Sequence, residues 1–419
     1  MLVFISDLHL SDGTTGNTIS SGAFKEFADS IQRILDKEDA KIKELQMVFL
    51  GDIFDLIRSE QWQNTSIRPW SEEEDKDKGQ QSLKDWTGRV FSKIKENENN
   101  KACVGFLKSL KTKISEKIPV IFHYVIGNHD WLLNRYPEIR QEAAEFLGVN
   151  GNFSNTPFPE EMFFPEYHVF ARHGDKFDWM NYDGKTRNSS SIGDAMVIDI
   201  LTKFPKEVKS ETEAKFHDPN LIERLKDIDN VRPLYTLPIW LDSVCRKSCS
   251  PRAIDFAKAA WNKLVDEFFK NPFVSSHDSW GPDKFDIFEA VFKIKPGWGL
   301  GSALKLSERL LPSDYQSFAR KEAGLWKGET RYVVYGHTHD FQVSPIGTYD
   351  DGGKDIAEVY FNSGTWRKFM QKVVTFDGTT DFVGWQVMTS VIFYLEKGEK
   401  KERQGRPFEI LNGVLGLKA

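Results

Sequence analysis

Short apolar runs that end abruptly in polar residues recur along the chain. Each run has four to seven mainly apolar residues, and this pattern predicts strands at 1–5, 47–50, 120–126, 167–172 and 331–335. The run at 120–126 shows the pattern best, because it stops at Gly127-Asn128-His129-Asp130. Gly and Asn are ordinary turn formers, so one such stretch predicts only a turn. Its repetition after four other strands predicts a site.

Helical periodicity lies between these strands. Apolar residues at 3- and 4-residue steps predict helices at 22–44, 81–96, 101–116 and 136–147. The segment 59–80 is polar and is predicted to be a loop. From 176 to 329 the pattern is helical only, with helices predicted at 192–204, 219–227, 251–271 and 303–309. Strands return at 357–362, 369–375 and 384–396.

This order predicts an α/β fold whose sheet faces are covered by helices. We expect a core in two parts, 1–175 and 331–396, interrupted by a helical cap over 176–330, and a peripheral tail over 397–419. Ligand sites in such folds gather at the carboxyl ends of strands, where the polar clusters fall.

Composition narrows the class of protein. The 419 residues are 40% hydrophobic and 28% charged, which is typical of globular proteins. A net charge of −6 without a basic block argues against binding to duplex nucleic acid, although a local basic groove stays open. Cys103, Cys245 and Cys249 form no metal-finger pattern and are expected to be reduced. With no predicted signal peptide or membrane span, we expect a cytoplasmic protein.

The strand ends carry a set of residues suited to metal ions. Its members have imidazole, carboxylate or amide groups: Asp7, His9, Asp52, Asn128, His129, His173, His337 and His339. Without a thiolate, this set suits Mn, Fe, Zn, Ni or Mg. It is too large for one tetrahedral ion and predicts two adjacent divalent ions. The positive charge of two ions would exceed the negative charge of Asp7 and Asp52, and the excess would attract a bridging hydroxide and a phosphate. Such a site suits hydrolysis of a phosphate ester or anhydride.

The ordered motifs resemble those of the calcineurin-like metallophosphoesterase superfamily. They are Asp-x-His at 7–9, Gly-Asp at 51–52, Gly-Asn-His-Asp at 127–130, His-Gly-Asp at 173–175 and Gly-His-Thr-His at 336–339. The resemblance implies a four-layer αββα sandwich, two β-sheets flanked by helices, with a dimetal site at one edge.

Individual roles follow from the same resemblance. It implies that Asp7, His9 and His339 hold the first ion, that Asn128, His173 and His337 hold the second, and that Asp52 bridges them. His129 resembles the residue that protonates the leaving oxygen or stabilises the phosphoryl group. Asp55 matches the carboxylate that orients this histidine, which would fix its tautomer and raise its pKa.

The substrate stays open at this stage. The sequences of 4–10 and 51–56 resemble the motifs of the UDP-diacylglucosamine pyrophosphohydrolases of bacterial lipid A synthesis. That branch usually has Arg at the position of His129. A phosphorylated small molecule or nucleotide-type substrate is expected. A single-strand nuclease and a non-catalytic scaffold of the same fold are the alternatives. Oligomeric state is not predicted.

Arginines and tryptophans supply candidates for substrate contact. Arg58 follows the Gly-Asp motif at 51–52, Arg367 follows the stretch 362–366 after a predicted strand, and Arg172 precedes His173. A guanidinium fork matches phosphate oxygens. Aromatic residues of the cap could line a pocket or form simple core: Trp179, Trp240, Trp261, Trp280 and Trp298. Trp62 and Trp70 lie in the polar loop and are further candidates.

Overall fold

Eleven strands occur in the part of the chain that the computed structural model describes. That part comprises residues 1–16, 18–36, 41–182, 184, 186–215, 218–247, 250–278, 283–293, 314–325, 329–395, 399 and 405–418. The strands β1 to β11 are, in chain order, Leu2–Ile5, Leu45–Leu50, Val120–Val125, Glu161–Phe164, Val169–Arg172, Tyr332–Tyr335, Gln342–Asp350, Asp355–Asn362, Lys368–Val374, Thr380–Phe393 and Phe408–Lys418.

The strands form two sheets. The first has the order β11-β10-β1-β2-β3, and β9 also pairs with β10. Its β1, β2 and β3 are parallel, with Val3 opposite Met47 and Val48 opposite His123. The second sheet has the order β4-β5-β6-β8-β7, and its β5, β6 and β8 are parallel. Parallel strands bring their carboxyl ends to one edge of each sheet.

Alternation along the strands divides the core into layers. One cluster lies between the sheets and joins Phe4 and Val48 of the first sheet to Val169 and Val334 of the second. The other face of the first sheet packs on helices. The other face of the second sheet packs on the helix Tyr315–Leu325. The predicted four-layer α/β sandwich is therefore confirmed.

Helices cover the first sheet and fill the cap. Those of the first part of the core are Ser21–Leu35, Leu83–Glu96, Glu98–Ser115, Leu132–Arg135 and Pro137–Leu147. Those of 176–330 are Ile192–Met196, Lys203–Lys215, Pro219–Leu225, Leu237–Arg246, Pro251–Lys270, Pro272–Ser275, Lys284–Phe292 and Tyr315–Leu325, with a π-helical turn at Val197–Leu201. The predicted helix at 303–309 lies outside the described residues.

Several boundaries differ from the prediction. The first helix ends at Leu35, so residues 41–44 are not helical. His168 precedes β5 in a left-handed conformation (φ 54°) and is not a strand residue. The predicted peripheral tail contains β11, which pairs with β10 from Phe393 to Gly384 as an edge strand. Backbone pairing ties this part of the tail to the sheet.

The described part of the cap is helical, as expected. An isolated bridge joins Val231 to Met370 of β9. The helix Tyr315–Leu325 belongs to the layer over the second sheet, so the cap boundary at 330 stays a prediction. Cys103 and Cys245 are buried free thiols, and Cys249 lies outside the described residues. No helix in the described ranges is long and apolar enough to cross a bilayer.

Candidate metal centre

The predicted strand-end residues meet where the two sheets present their carboxyl ends. Asp7 and His9 follow β1, Asp52 follows β2, and Asn128 and His129 follow β3. His173 follows β5 of the second sheet, while His337 and His339 follow β6. All are buried or nearly so. The structure therefore brings the whole set together at one seam between the sheets.

The backbone of this cluster has an uncommon conformation. Eight non-glycine residues in the described ranges have positive φ, and five of them belong to the cluster. These five are Asp7 (51°), His9 (46°), Asp52 (53°), His337 (71°) and His339 (62°). Side chains disfavour this left-handed region, and such residues concentrate at functional sites, where surrounding structure holds them in place.

Glycines of the motifs give the cluster its room. A Cβ on Gly51 would lie 2.5 Å from His173 Nδ1, and one on Gly336 would lie 2.5 Å from Asp7 Oδ2. A Cβ on Gly127 would overlap Asp52 Oδ1. Glycine is needed at these positions because candidate ligand side chains pack directly against the Cα atoms.

One group of potential ligands comprises Asp7, His9 and His339. His339 Nε2 lies 3.0 Å from His9 Nε2 and 3.4 Å from Asp7 Oδ1. Burial lowers the pKa of His9 to about 4, which favours the neutral imidazole that binds metal. These are the three residues that the family resemblance assigns to the first ion.

A second group comprises Asp52, His173 and His337, and Asn128 lies among them. Asn128 Oδ1 lies 3.1 Å from His173 Nε2 and 3.0 Å from His337 Nδ1. These residues match the set that the resemblance assigns to the second ion. Their role as ligands stays a prediction.

Asp52 lies between the two groups. Its Oδ2 is 3.8 Å from His9 Nε2 and 3.2 Å from His173 Nε2, while its Oδ1 accepts a hydrogen bond from the His129 amide. Burial opposes ionisation of Asp52, but the neighbouring histidines outweigh it and hold the pKa of this carboxyl well below its usual range. One carboxylate is thus placed for two ions.

Hydrogen-bond chemistry tests whether cations fit this cluster. Three histidines donate outwards from one ring nitrogen: His173 Nδ1 to Leu50 O (2.9 Å), His9 Nδ1 to Asp55 (3.2 Å) and His337 Nε2 to Asp178 (3.1 Å). In a neutral imidazole the other nitrogen then carries a lone pair. In this cluster that second nitrogen faces an oxygen of Asn128 or Asp52, or the ring nitrogen of His339.

Such contacts repel unless a proton or a cation lies between the atoms. Burial lowers the pKa of His173, but Asp52 and Asp7 outweigh it and raise the pKa to about 10. A proton can therefore take the place between His173 and Asp52 that a metal ion would fill. The donor set, its orientation and its charge fit divalent ions.

Asp55 joins His9 of the candidate metal centre to His129. Its Oδ1 lies 2.9 Å from His129 Nδ1, and its Oδ2 lies 3.2 Å from His9 Nδ1. Burial lowers the pKa of His129, but the Asp55 and Asp52 carboxylates outweigh it and raise the pKa to about 9. The contact predicted between Asp55 and His129 is present in the structure, although their catalytic roles stay predictions.

Other residues support the cluster; Asp178 and Asn181 had no recognisable sequence signal, whereas Asp130 belongs to the Gly-Asn-His-Asp motif. Asp178 holds His337, and Asn181, which hydrogen-bonds Asp178 at 2.8 Å, accepts a bond from Asn128 Nδ2 at 3.3 Å. Asp130 accepts from the amides of Gly127 and Ile53 and thereby shapes the turn after β3. Contacts made by 176–330 could not be found from local pattern.

The candidate arginines lie behind the cluster. Arg58 and Arg367 are only 2% and 3% exposed, and both pair with Asp229, at 3.0 and 2.9 Å. Arg172 pairs with Glu161 and Glu322. Phosphate binding by Arg58 and Arg367 stays a prediction, and their strong ion pairs in the structure are with Asp229.

The tryptophans divide between core and cavity. Trp62, Trp240 and Trp261 are buried in the core, and Trp70 stacks on Phe273. Trp179 lines the cavity beside the cluster. Trp280 and Trp298 lie outside the described residues.

A cavity of about 300 Å³ opens directly on the cluster. Asp52, Asn128, His129, His337 and His339 form one wall. Residues of the cap form the opposite wall. A molecule in this cavity would contact both the candidate metal ligands and the cap.

Comparison with known proteins supports one family. The model of the calcineurin-like phosphoesterase family matches residues 1–234, more than half of the chain. No curated protein matches the chain.

Proposed function

The chain belongs to the calcineurin-like phosphoesterase family, and on this basis we propose that it is a dimetal-dependent hydrolase of a phosphate ester or anhydride. The observation that carries the proposal is the orientation of His9, His173 and His337. Each donates outwards to an oxygen and directs its other nitrogen into the cluster.

Two divalent ions complete this centre, and manganese is the first choice for a set of nitrogen and oxygen ligands. Asp7, His9 and His339 would hold one ion. Asn128, His173 and His337 would hold the other, and Asp52 would contact both. When bound, such ions supply an activated water molecule and withdraw charge from phosphoryl oxygens.

His129 acts on the substrate oxygens. It lines the cavity, and its Nδ1 is held by Asp55, so its Nε2 is the nitrogen left for substrate. A protonated imidazole at this position donates a proton to the leaving oxygen or stabilises the phosphoryl group. Asp55 fixes the ring and favours its charged form.

The substrate class is supported only by the cluster. A phosphorylated small molecule or a nucleotide-type compound fits a cavity of this size. Activity like that of the lipid A pyrophosphatase branch and activity as a single-strand nuclease stay predictions from the sequence motifs. A cytoplasmic location also stays a prediction. The complete ligand set argues against a non-catalytic scaffold.

Metal content and turnover test the proposal. We expect the purified protein to bind about two Mn²⁺ ions per chain and to hydrolyse bis-p-nitrophenyl phosphate or p-nitrophenyl phosphate. Plasma emission spectrometry after dialysis measures the first, and nitrophenolate absorbance the second. Absence of bound metal together with absence of turnover in Mn, Fe, Zn, Ni and Mg would sink it.

A further inference from the structure

Arg232 of the cap lines the cavity beside the candidate metal centre. It is the only Lys or Arg among the described residues that line the cavity. Across from the histidine cluster, the cap contributes a mainly apolar wall, formed by Trp179, Met180, Val197, Leu234 and Tyr235. The cavity thus combines a candidate metal centre, one cationic side chain and an apolar surface.

The guanidinium of Arg232 is anchored on one side only. Its Nη1 donates to two backbone carbonyls, those of Asp229 (2.8 Å) and Val231 (3.0 Å). Carbonyl groups orient the side chain without neutralising its charge. Arg232 is half-buried, and within the described ranges it forms no ion pair with a carboxylate. Its charge is available to an anion in the cavity.

The nearby carboxylate is already engaged. Asp229 Oδ2 accepts from Arg58 Nε at 3.0 Å and from Arg367 Nη2 at 2.9 Å, and these three side chains are buried. Asp229 also lines the cavity and attracts Arg232, but its ion pairs within 4 Å are with Arg58 and Arg367. Its pairing leaves Arg232 as the arginine that faces the cavity.

The segment that carries Arg232 is fixed to the core. Arg367 also donates to Asn230 Oδ1 at 2.8 Å, and Val231 bridges to Met370 of β9. These contacts hold the residues immediately before Arg232 against the second part of the core. A guanidinium held in this way loses little conformational freedom when it binds an anion.

We propose that Arg232 and the apolar wall of the cap recognise a single small phosphate ester, with Arg232 on a phosphoryl oxygen and an uncharged, mainly apolar organic group against Leu234 and its neighbours. This inference rests on the proposed function. A cavity of about 300 Å³ is at the lower limit for small-molecule sites and encloses one such group. Asp340, which is exposed at the cavity, disfavours additional negative charge there.

Binding of two non-hydrolysable probes to Mn-loaded protein tests the proposal. Phenylphosphonate and methylphosphonate share the anion and differ in the apolar group. By isothermal titration calorimetry, wild type should bind phenylphosphonate about tenfold more tightly or better. Arg232→Ala should weaken both probes by roughly tenfold to a hundredfold. Leu234→Ala should weaken phenylphosphonate alone.

Matched variants separate these effects from general damage. Arg252→Ala removes an exposed arginine from a cap helix, and Phe376→Ala removes an exposed apolar residue from a remote hairpin. Neither should change binding of either probe. Metal content and melting temperature of Arg232→Ala should stay close to those of wild type, because the hydrogen bonds of Arg232 are to the backbone carbonyls of Asp229 and Val231 and not to candidate ligands.

The outcomes distinguish the proposals. If wild type binds no metal and shows no turnover, the proposed function is wrong, whatever the variants do. With wild type active, unchanged binding by Arg232→Ala would overturn the role of Arg232, and equal affinity for the two probes would overturn that of the wall. Displacement of phenylphosphonate by oligothymidylate at far lower concentration than by thymidine monophosphate would show a strand-binding site and overturn the small-ester proposal.

Discussion

Asp55 Oδ1 lies 2.9 Å from His129 Nδ1, within hydrogen-bonding distance and shielded from solvent. The other oxygen of the same carboxylate lies 3.2 Å from His9 Nδ1. Asp55 therefore sets the orientation of a candidate acid and of a candidate ligand at once. Its pKa is held well below the usual range, since the two histidines outweigh the effect of burial.

His129→Ala should lower kcat for bis-p-nitrophenyl phosphate by about 10²–10⁴-fold while about two ions stay bound. The reason is that His129 faces the cavity and is assigned to neither ion. Asp52→Ala should lose metal as well, because its carboxylate lies between the two groups, 3.8 Å from His9 Nε2 and 3.2 Å from His173 Nε2. Emission spectrometry on both variants makes the comparison. Equal metal loss would place His129 among the ligands.

His173→Gln should reduce bound Mn²⁺ by at least half, since its Nε2 faces Asp52 and Asn128. The matched control is His123→Gln. His123 lies in β3 and bonds Gln46 at 3.0 Å, away from the cluster. Equilibrium dialysis with Mn²⁺ measures both. Similar losses in the two variants would contradict the placement of the second ion.

Gly127→Ala should impair metal binding and lower the melting temperature, because its Cβ would overlap Asp52 Oδ1. Gly105→Ala is the control: it lies within the helix Glu98–Ser115, and a Cβ there meets nothing within 4 Å. That variant should gain roughly 0.5–1 kcal/mol of unfolding free energy. Thermal melts with and without Mn²⁺ distinguish them, and normal metal binding by Gly127→Ala would disprove the steric argument.

Asp178→Ala should weaken the second ion by about 10–100-fold and leave the first in place, since Asp178 orients His337. A competitive Mn²⁺ titration resolves the two affinities. Asp242→Ala, which changes a partly exposed cap carboxylate paired with Arg246, should leave both unchanged. Two unaltered affinities in Asp178→Ala would show that His337 is held without this contact.

Asp194→Asn should change how stability depends on pH. Burial raises the pKa of Asp194 from 3.8 to about 6. A carboxyl with a raised folded pKa gives its full stabilisation below about pH 4 and loses it as pH rises through about 6. Between pH 4 and pH 6 the unfolding free energy of wild type should fall by roughly 2–3 kcal/mol relative to that of the variant, because the Asn side chain does not titrate.

Melting temperatures from pH 4 to 7, with chelator in both samples, test this sign. Asp377→Asn serves as the control, because Asp377 is exposed and hydrogen bonds from Thr375 and Thr379 lower its pKa to about 2. Its difference from wild type should stay flat over this range. A flat Asp194→Asn difference would show that this carboxyl is not raised.

The strands that build the site were predictable because they are parallel and buried on both faces. Such strands read as apolar runs, and their carboxyl ends mark the site. Two edge strands of the second sheet were missed. The strand β4, Glu161–Phe164, is only four residues long, and β7, Gln342–Asp350, contains many polar residues. The strand in the tail was missed because its pairing with β10, itself predicted as a strand at 384–396, is a tertiary contact that local pattern does not show.

The residues that surround the centre could not be predicted in the same way. Asp178, Asp229 and Arg232 lie in a segment with helical periodicity, and their contacts depend on how the cap packs against the core. The same packing explains Arg58 and Arg367. Sequence identified them as phosphate-binding candidates but contained no sign of Asp229, 171 and 138 residues away respectively (229 − 58 and 367 − 229).

The seam between the sheets has a consequence for the order of events during synthesis. His339 lies 332 residues after Asp7 (339 − 7), and β1 pairs on one side with β10, which ends at Phe393. A nascent chain that has emerged only through the cap therefore lacks two histidines of the ligand set and the neighbour of its first strand. Each proposed ion would take ligands from both sheets. Metal binding at the full site would then require synthesis of the chain through His339. Ribosome-bound fragments that end before residue 337 should therefore form no complete site for added metal.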